Sequence, residues 1–133
     1  MPRKAPVWLE RTVVDAMHAD LIREHGGSTG VRDGNLIDSA LARPRQKWSY
    51  DREVDLASLA AAYGYGLVKN HGFVDGNKRA AFVAIYVFLL LNQLELDVEE
   101  AQAVDIIVGV AEGSIVEDQL AAWIRQHTVR RKR

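Results

Sequence analysis

Residues 77–92 read NKRAAFVAIYVFLLLN, and beyond the first turn this stretch is apolar on nearly every side. Such a pattern is typical of a helix that is enclosed by other helices. Its longest apolar run, Ala80 to Leu91, has twelve residues, whereas a helix that crosses a bilayer needs roughly 20. The stretch therefore predicts the central buried helix of a compact all-α bundle.

Three further helices are expected before the central one. The first, from about Glu10 to His25, has apolar residues at helical spacing and is followed by two glycines that end it. The second follows the glycine-rich turn at 26–34 and is expected to stop at Pro44, because proline lacks the N–H that a helix requires. The third begins after Asp55, a favourable N-cap residue, and its many small side chains allow another helix to approach closely.

Two more helices are expected after the central one. Residues 98–111 repeat the amphipathic pattern, and Ser114-Ile-Val-Glu117 predicts a capping box that opens the last helix. No alternation of the kind found in strands is longer than residues 94–96. Residues 1–133 are therefore expected to form one helical domain, which is an ordinary size for a single core.

Composition narrows the possible functions before any motif is considered. Lysine and arginine number 17 against 18 aspartate and glutamate, so no general attraction to nucleic acid or to a membrane surface is expected. The chain has no cysteine, which excludes thiolate metal ligands and fits a reducing compartment, so a cytoplasmic location is expected. No signal-peptide pattern follows the basic N-terminus, and the basic end at about 128–133 is expected to be a solvated, frayed tail.

Candidate chemistry is concentrated where a polar loop enters the central helix, in the sequence HGFVDGNKR at residues 71–79. Gly76 and Asn77 begin the helix, whose first N–H groups and positive dipole end can hold phosphate oxygens. Gly76 lacks a Cβ, and the expected reason is that a side chain there would obstruct the approach of the phosphate. Lys78 and Arg79 add full charges beside these dipoles, and arginine can bind phosphate with two hydrogen bonds. This end of the helix is therefore predicted to be an anion site.

Two residues of the same loop supply the other groups that phosphoryl or nucleotidyl transfer requires. Asp75 offers a hard oxygen ligand for Mg²⁺, and one carboxylate is sufficient when nucleotide phosphates supply further ligands. His71 is the candidate base, because an imidazole can take a proton from an incoming hydroxyl at neutral pH. Phe73 is expected to point into the core and to fix the loop. The constellation predicts transfer of part of ATP to a hydroxyl.

The alternative interpretation of these residues is purely structural. In it, Asp75 is only an N-cap, His71 is an ordinary loop histidine, and Lys78 and Arg79 are solvated. Two cations in the first turn of a helix, however, oppose its dipole by a few tenths to about 1 kcal/mol each. That cost is easier to explain if an anion normally occupies the site, so the anion site is the favoured interpretation.

The nine residues 71–79 also resemble the motif of the Fic/Doc proteins, and closely that of its death-on-curing branch. Further similarity to this branch occurs in the same order at residues 26–33, 41–44 and 110–113, so the resemblance covers nearly the whole chain. It implies a Fic/Doc helical fold. It also implies that His71 is the base and Asp75 the Mg²⁺ ligand, with the nucleotide phosphates bound by Gly76, Asn77, Lys78 and Arg79.

The residue at position 78 bears on which group is transferred. Fic proteins that transfer AMP typically have a second glycine where Lys78 stands, whereas death-on-curing toxins carry lysine and are associated with transfer of the terminal phosphate. The resemblance thus implies a kinase toxin that modifies a hydroxyl of a translation factor such as elongation factor Tu. Gly76 is a feature common among AMP transferases, so AMP transfer is the alternative activity. A non-catalytic anion-binding or protein-binding module is the alternative class.

The resemblance also places a target-docking flap at residues 43–52. The segment combines cations and aromatic residues with a proline, which favours an extended backbone at the residue before it. An extended segment of this kind could pair its main-chain groups with a substrate peptide. The alternative is a plain surface segment whose aromatic residues pack on the core. The candidate flap residues are Arg45, Lys47, Trp48 and Tyr50.

An inhibitory partner is expected because the chain lacks an inhibitory motif found in relatives. Many Fic proteins restrain themselves with a helix bearing Ser or Thr, three further residues, and then Glu followed by Gly or Asn. Glu112-Gly113 is the nearest match here, but position 108 is Val. Restraint is therefore expected from a separate antitoxin, whose disordered C-terminal segment folds over the site.

Overall fold

The computed structural model of the chain describes residues 3–131. Within that range the chain forms six helices and a two-stranded sheet. The predicted all-α bundle is thereby confirmed. In chain order the elements are α1 (Arg11–His25), α2 (Gly34–Tyr50), α3 (Leu56–Asn70), α4 (Asn77–Leu91), β1 (Leu94–Leu96), α5 (Glu100–Glu112), α6 (Glu117–His127) and β2 (Thr128–Arg130).

Helices α3 and α4 form the buried centre of the bundle. Ten of the 15 residues of α3 are buried, and this helix packs against α2, α4 and α6. Seven of the 15 residues of α4 are buried in one stripe, while Phe82, Tyr86, Val87 and Leu90 are only half-buried. A methyl group at Gly64 would overlap Ile85, so the small residues of α3 do allow α4 to approach closely. Of the two helices, α3 is the more fully enclosed.

The second helix does not stop at Pro44, contrary to the prediction. It continues to Tyr50 with Pro44 buried inside it. Proline cannot donate the hydrogen bond to the carbonyl four residues earlier, which costs about 3 kcal/mol in a helix interior. The turn after Pro44 makes tertiary contacts that oppose this cost. Trp48 meets Trp8 edge to face with ring centroids 6.4 Å apart, and Lys47 donates to Glu117.

The predicted flap is therefore helical, and most of its side chains are engaged within the fold. Arg45 donates to Glu10 and Lys47 to Glu117, each at 2.8 Å. Trp48 packs against the core, whereas Tyr50 is 74% exposed. The extended backbone that would receive a peptide is absent from residues 43–50, because α2 uses the main-chain groups itself.

The capping box predicted at the start of α6 is not formed. The hydroxyl of Ser114 donates to the Gly109 carbonyl, and Val116 is the N-cap. The N–H of Val116 donates to the side-chain oxygen of Gln119 at 2.9 Å. Glu117 is the first residue of the helix, where its carboxylate binds cations of α2.

The end of the described chain forms a strand, although a frayed tail was predicted from about residue 128. Strand β2 pairs antiparallel with β1, with Leu94 opposite Arg130. The N–H of Arg131 then donates to the carbonyl of Gln93 at 3.1 Å. Residues 132 and 133 of the predicted tail lie outside the described range. Within residues 3–131 no helix combines the length and apolar character that a bilayer crossing requires.

Candidate active site at the start of α4

Two loops lie side by side at the candidate site. The motif loop, residues 71–76, joins α3 to α4, and the glycine-rich loop, residues 26–33, joins α1 to α2. The N–H groups of Arg32 and Asp33 donate to the carbonyl of Gly72 at 2.8 and 2.9 Å. Val74 N–H donates to the carbonyl of Gly30 at 3.1 Å. These bonds fix the motif loop to a second segment of chain.

His71 caps the C-terminus of α3 in the left-handed backbone region, with φ 52° and ψ 50°. Such a conformation costs a non-glycine residue roughly 1–3 kcal/mol and persists where neighbouring groups enforce it. Here Arg32 enforces it, because its Nε donates to the His71 carbonyl at 2.8 Å and its Nη2 to the Asn70 carbonyl at 3.2 Å. The side chain of His71 is exposed. The predicted base is therefore held by its backbone and presented to solvent.

Asp75 is exposed, and two backbone N–H groups direct its carboxylate. Oδ2 accepts from Ser28 at 3.2 Å and Oδ1 accepts from Gly76 at 2.8 Å. These bonds, with that from Ser28 first, hold the pKa of the Asp75 carboxyl below its ordinary value, and the charge of Arg79 lowers it further. The group is thus an oriented carboxylate ion at neutral pH.

Gly27 leaves the room that this carboxylate occupies. Its φ is +112°, and a Cβ built on it would come within 2.6 Å of Asp75 Oδ2. Any side chain at position 27 would therefore be strained in its backbone and would displace the carboxylate. Of the Gly26-Gly27 pair, Gly26 thus ends α1 and Gly27 serves the site.

Asn77 is buried, and its side chain binds the motif loop rather than facing a ligand. Its Oδ1 accepts from the N–H of Phe73, and its Nδ2 donates to the carbonyl of the same residue, both at 3.0 Å. Phe73 is 1% exposed, as predicted for the residue that fixes the loop. Only the main-chain N–H of Asn77 can therefore contribute to a phosphate site.

Gly76 is the N-cap of α4 and has a positive φ of 76°. A Cβ at this position would point into the fold, 3.1 Å from Ile22 and 3.5 Å from His18. The glycine is thus required by its backbone conformation and by packing on α1. An unobstructed approach for phosphate, which was the reason expected from the sequence, is not what this direction indicates.

Lys78 and Arg79 are exposed in the first turn of α4. The helical ladder begins with the bond from Ala80 N–H to Gly76 O, so the N–H groups of residues 77–79 precede it. Within the described chain neither cation lies within ion-pair distance of an acid. The predicted anion site therefore has its dipoles and its charges in one place.

Asp75 also fits the Mg²⁺ that was expected there. Asp75 is exposed, and each of its carboxylate oxygens accepts one N–H, which leaves acceptor capacity for a cation. No cluster of three or more acidic or histidine ligands occurs in residues 3–131. A magnesium ion bound here would take its remaining ligands from nucleotide phosphates and water, which is the usual arrangement for this ion.

The flap residues are not brought to this site. The start of α2 meets the motif loop, since the Ile37 backbone lies 3.1 Å from a Cβ built on Gly72. Trp48 follows eleven residues later on the same helix, which is about 16 Å further along its axis. Residues 45–50 are thus at the opposite end of α2.

His18 belongs to the site and was missed by the sequence analysis. It is 4% exposed, its ring stacks on Phe73 with centroids 3.8 Å apart, and its Nε2 lies 2.7 Å from the carbonyl oxygen of Asp75. The available sequence signal was a histidine on the apolar face of α1, at helical spacing between Val14 and Ile22. That pattern alone does not indicate what the ring would contact.

Comparison with known proteins gives the class of this protein. Residues 8–89, which include the whole motif, match the family model described as Fic/DOC family. The chain belongs to the Fic/Doc family, whose members are transferases that use nucleotide substrates. The resemblance noted in the sequence is thereby confirmed.

A more particular similarity is to a protein named Toxin Doc from Mycolicibacterium smegmatis (strain ATCC 700084 / mc(2)155). The two are 40% identical over 100 residues, which cover 73% of this chain and 77% of that protein.

Proposed function

We propose that this chain is the toxin of a toxin–antitoxin pair and transfers the γ-phosphate of ATP to a hydroxyl of a protein. The proposed target is a translation factor such as elongation factor Tu. The observation that carries the proposal is the arrangement around the start of α4. A backbone-strained histidine and an oriented carboxylate are each held by separate contacts, beside two exposed cations.

His71 acts as the base of the proposed reaction. The acceptor hydroxyl gives its proton to the His71 ring while its oxygen forms a bond to the γ-phosphorus. The bond from that phosphorus to the oxygen bridging the β- and γ-phosphates breaks, and ADP leaves with the electron pair. A phosphate ester on the target protein and a protonated histidine result, and the histidine returns its proton to water.

The other residues position ATP and stabilise its charge. The N–H groups of residues 77–79 and the side chains of Lys78 and Arg79 hold phosphate oxygens. Asp75 would hold Mg²⁺, which supplies positive charge to the phosphates when bound. Because the carboxylate is already directed by Ser28 and Gly76, little rearrangement is needed at that residue.

Lys78 supports phosphate transfer over AMP transfer. A lysine fills space and adds charge where AMP-transferring relatives typically have glycine. The start of α4 could therefore hold a different phosphate of ATP than it holds in those relatives, and a different phosphorus atom would then react. Gly76 favours the alternative, since glycine at this position is common among AMP transferases. The two activities consume the same ATP but leave different groups on the target.

Labelled ATP distinguishes these two activities. Purified protein is incubated with a lysate and with ATP labelled at either the α- or the γ-phosphorus. Label from the γ position alone supports the kinase, and label from the α position alone would establish AMP transfer instead. We expect Lys78→Gly to impair phosphate transfer, and an unchanged product and rate would show that Lys78 does not determine which group is transferred.

The proposed antitoxin is a second protein with a disordered C-terminal segment that folds over the site. It is supported by the similarity to a Doc toxin and by the lack of an inhibitory motif in this sequence. Expression of the chain alone should slow growth, and expression of the His71→Ala variant at the same level should not. Normal growth with abundant, folded wild-type protein would contradict the toxin proposal.

A further inference from the structure

His18 is a polar residue inside the core, and its surroundings point to a specific task. It lies on the buried face of α1 with Val14 and Ile22. One face of its ring stacks on Phe73 at an interplanar angle of 7°. Burial of an imidazole is unfavourable unless its polar atoms are bonded. The bond that His18 makes therefore indicates why it is there.

That bond is made to the main chain of the proposed Mg²⁺ ligand. Nε2 of His18 lies 2.7 Å from the carbonyl oxygen of Asp75. A carbonyl oxygen can only accept, so Nε2 carries the hydrogen and donates it. The stacking on Phe73 fixes the plane of the ring and hence the direction of the N–H.

Asp75 is thereby held at both its main chain and its side chain. Its carbonyl is bonded inward by His18, while its carboxylate oxygens accept from Ser28 and Gly76 on the outside. The ring of His18 also packs beneath the turn into α4, since a Cβ built on Gly76 would lie 3.5 Å from its Nε2. The Asp75 carbonyl and the Gly76 N–H belong to one planar peptide unit. Rotation of this unit would break the inner bond and turn the Gly76 N–H away from the carboxylate that it directs.

We infer that His18 is a positioning residue that fixes the Asp75 peptide and thereby aims the carboxylate at the cation of the bound nucleotide. The part of this inference that concerns magnesium rests on the proposed function. The part that concerns the geometry of Asp75 does not. His18 touches no reacting atom in this scheme and acts through Asp75 alone.

Three kinds of variant separate positioning from core packing. His18→Phe and His18→Leu place an apolar side chain against Phe73 and remove the hydrogen-bond donor. If one of these two variants does not fold, the other still tests the loss of the donor. His18→Gln keeps an N–H at a comparable distance from the main chain. Val14→Ala is the matched control, because Val14 is fully buried on the same face of α1 one turn away and makes no contact through a polar side-chain atom.

Amide hydrogen exchange reads the geometry without requiring any activity. In the donor-free variants the N–H groups of Ser28 and Gly76, which bond the Asp75 carboxylate, should exchange roughly tenfold faster, as expected for one weakened hydrogen bond. His18→Gln should restore most of the protection. Val14→Ala should lower the unfolding temperature while leaving the exchange at these two groups close to that of the wild type.

Calorimetric ATP binding at increasing Mg²⁺ gives the second measurement. The Mg²⁺ concentration at half-maximal binding should rise roughly tenfold in the donor-free variants, the size expected when a residue that orients a metal ligand is lost. Unchanged exchange and unchanged Mg²⁺ dependence, or equal shifts in Val14→Ala, would overturn the inference. Magnesium-independent ATP binding by the wild type would instead contradict the proposed function, while the exchange rates would still decide the role of His18.

Discussion

At both ends of α4 an asparagine side chain holds a neighbouring segment of backbone with two hydrogen bonds. Asn77 binds the N–H and the carbonyl of Phe73, each at 3.0 Å. Asn92, which follows the helix, binds the N–H and the carbonyl of Val7 at 2.8 and 3.0 Å. The same device thus ties the motif loop at one end and the N-terminal segment at the other.

A backbone conformation is shared by the two ends as well. Among the described residues, His71 and Gln93 are the two non-glycine residues with positive φ, and each lies in a connection to α4. The carbonyl of Gln93 accepts from Arg131, which closes the pairing of β1 with β2. The carbonyl of His71 accepts from Arg32, which leaves the imidazole exposed.

The two ends of α4 differ in the charged side chains that surround these similar backbone arrangements. At the start of α4, Asp75, Lys78 and Arg79 face solvent together, beside helical N–H groups that have no partner in the ladder. At the end of α4, the connection is closed by a strand pair and by backbone bonds. A strained residue and a tethered loop are therefore not sufficient to mark a site. The oriented, exposed charges are what distinguish it.

The largest difference between the two ends of α4 is expected when their strained residues are replaced. His71→Ala should lower the rate of transfer by about 10²–10⁴-fold, the range for loss of a general base, with an unchanged circular dichroism spectrum. Gln93→Ala, the matched change at the other end, should leave the rate near that of the wild type. Transfer by His71→Ala at the wild-type rate would show that His71 is not the base.

The two asparagines should differ both in stability and in activity. Asn77→Ala leaves the buried N–H and carbonyl of Phe73 without partners, at a cost of about 2–4 kcal/mol. Asn92→Ala should cost only about 1 kcal/mol, because Val7 is 53% exposed and water can replace the amide. Urea denaturation measures both values.

Activity at a temperature where both variants are folded completes this comparison. Asn77→Ala should also transfer more slowly, since the motif loop loses its tether, whereas Asn92→Ala should not. Equal losses of stability and of rate in the two variants would mean that the ends of α4 are not specialised.

Several elements of this arrangement were predictable because they depend on local patterns. The apolar run after Asn77 gave the start of α4, Asp55 is the N-cap of α3 as its residue type suggested, and Gly26 ends α1. The motif was recognisable because a candidate base, a carboxylate and two cations are concentrated within residues 71–79. The two cations oppose the helix dipole, and this conflict, which is visible in the sequence, favoured the anion site.

Other elements were not predictable because distant contacts decide them. Pro44 predicted the end of α2, but the helix continues, and the turn beyond Pro44 contacts residues far away in the sequence, such as Trp8 and Glu117. The box expected from Ser114 was replaced by different local bonds. The task of His18 depends on the peptide of Asp75, which is 57 residues away, and no local pattern encodes that meeting.

A smaller effect is expected when exposed arginines near and far from the motif are compared. Arg79→Ala should weaken ATP binding roughly tenfold, or about 1.4 kcal/mol, because a phosphate contact is lost. Arg130→Ala is the control, since Arg130 is exposed in β2, which is paired beyond the other end of α4. Arg32 is unsuited to this purpose, because it holds the backbone of His71. Equal losses for Arg79 and Arg130 in calorimetry would indicate a diffuse charge effect.

The smallest effect concerns an ion pair that lies away from the motif. Arg125 donates to both carboxylate oxygens of Asp55, at 2.7 and 3.1 Å. Asp55 is also the N-cap of α3, where its Oδ1 accepts from the N–H of Ser58. The hydrogen bond from Arg125 is the largest cause that lowers the pKa of Asp55, to about 2 from an ordinary value of 3.8. Both side chains are about half exposed, at 52% for Arg125 and 47% for Asp55, so solvent screens their interaction.

Asp55→Asn should therefore lower the free energy of unfolding by less than about 1 kcal/mol at neutral pH, since asparagine keeps the cap and loses only the charge. Because the pKa is depressed in the folded state, the stabilisation is present above the ordinary value of 3.8 and is lost as the pH falls toward about 2. Urea midpoints of wild type and variant should accordingly converge across that interval. Arg125→Gln should remove the same contribution, and the double variant should lose little more than either single one. A difference that stays constant with pH would show that the ionisation of Asp55, and hence its ion pair with Arg125, is not the source of the stabilisation.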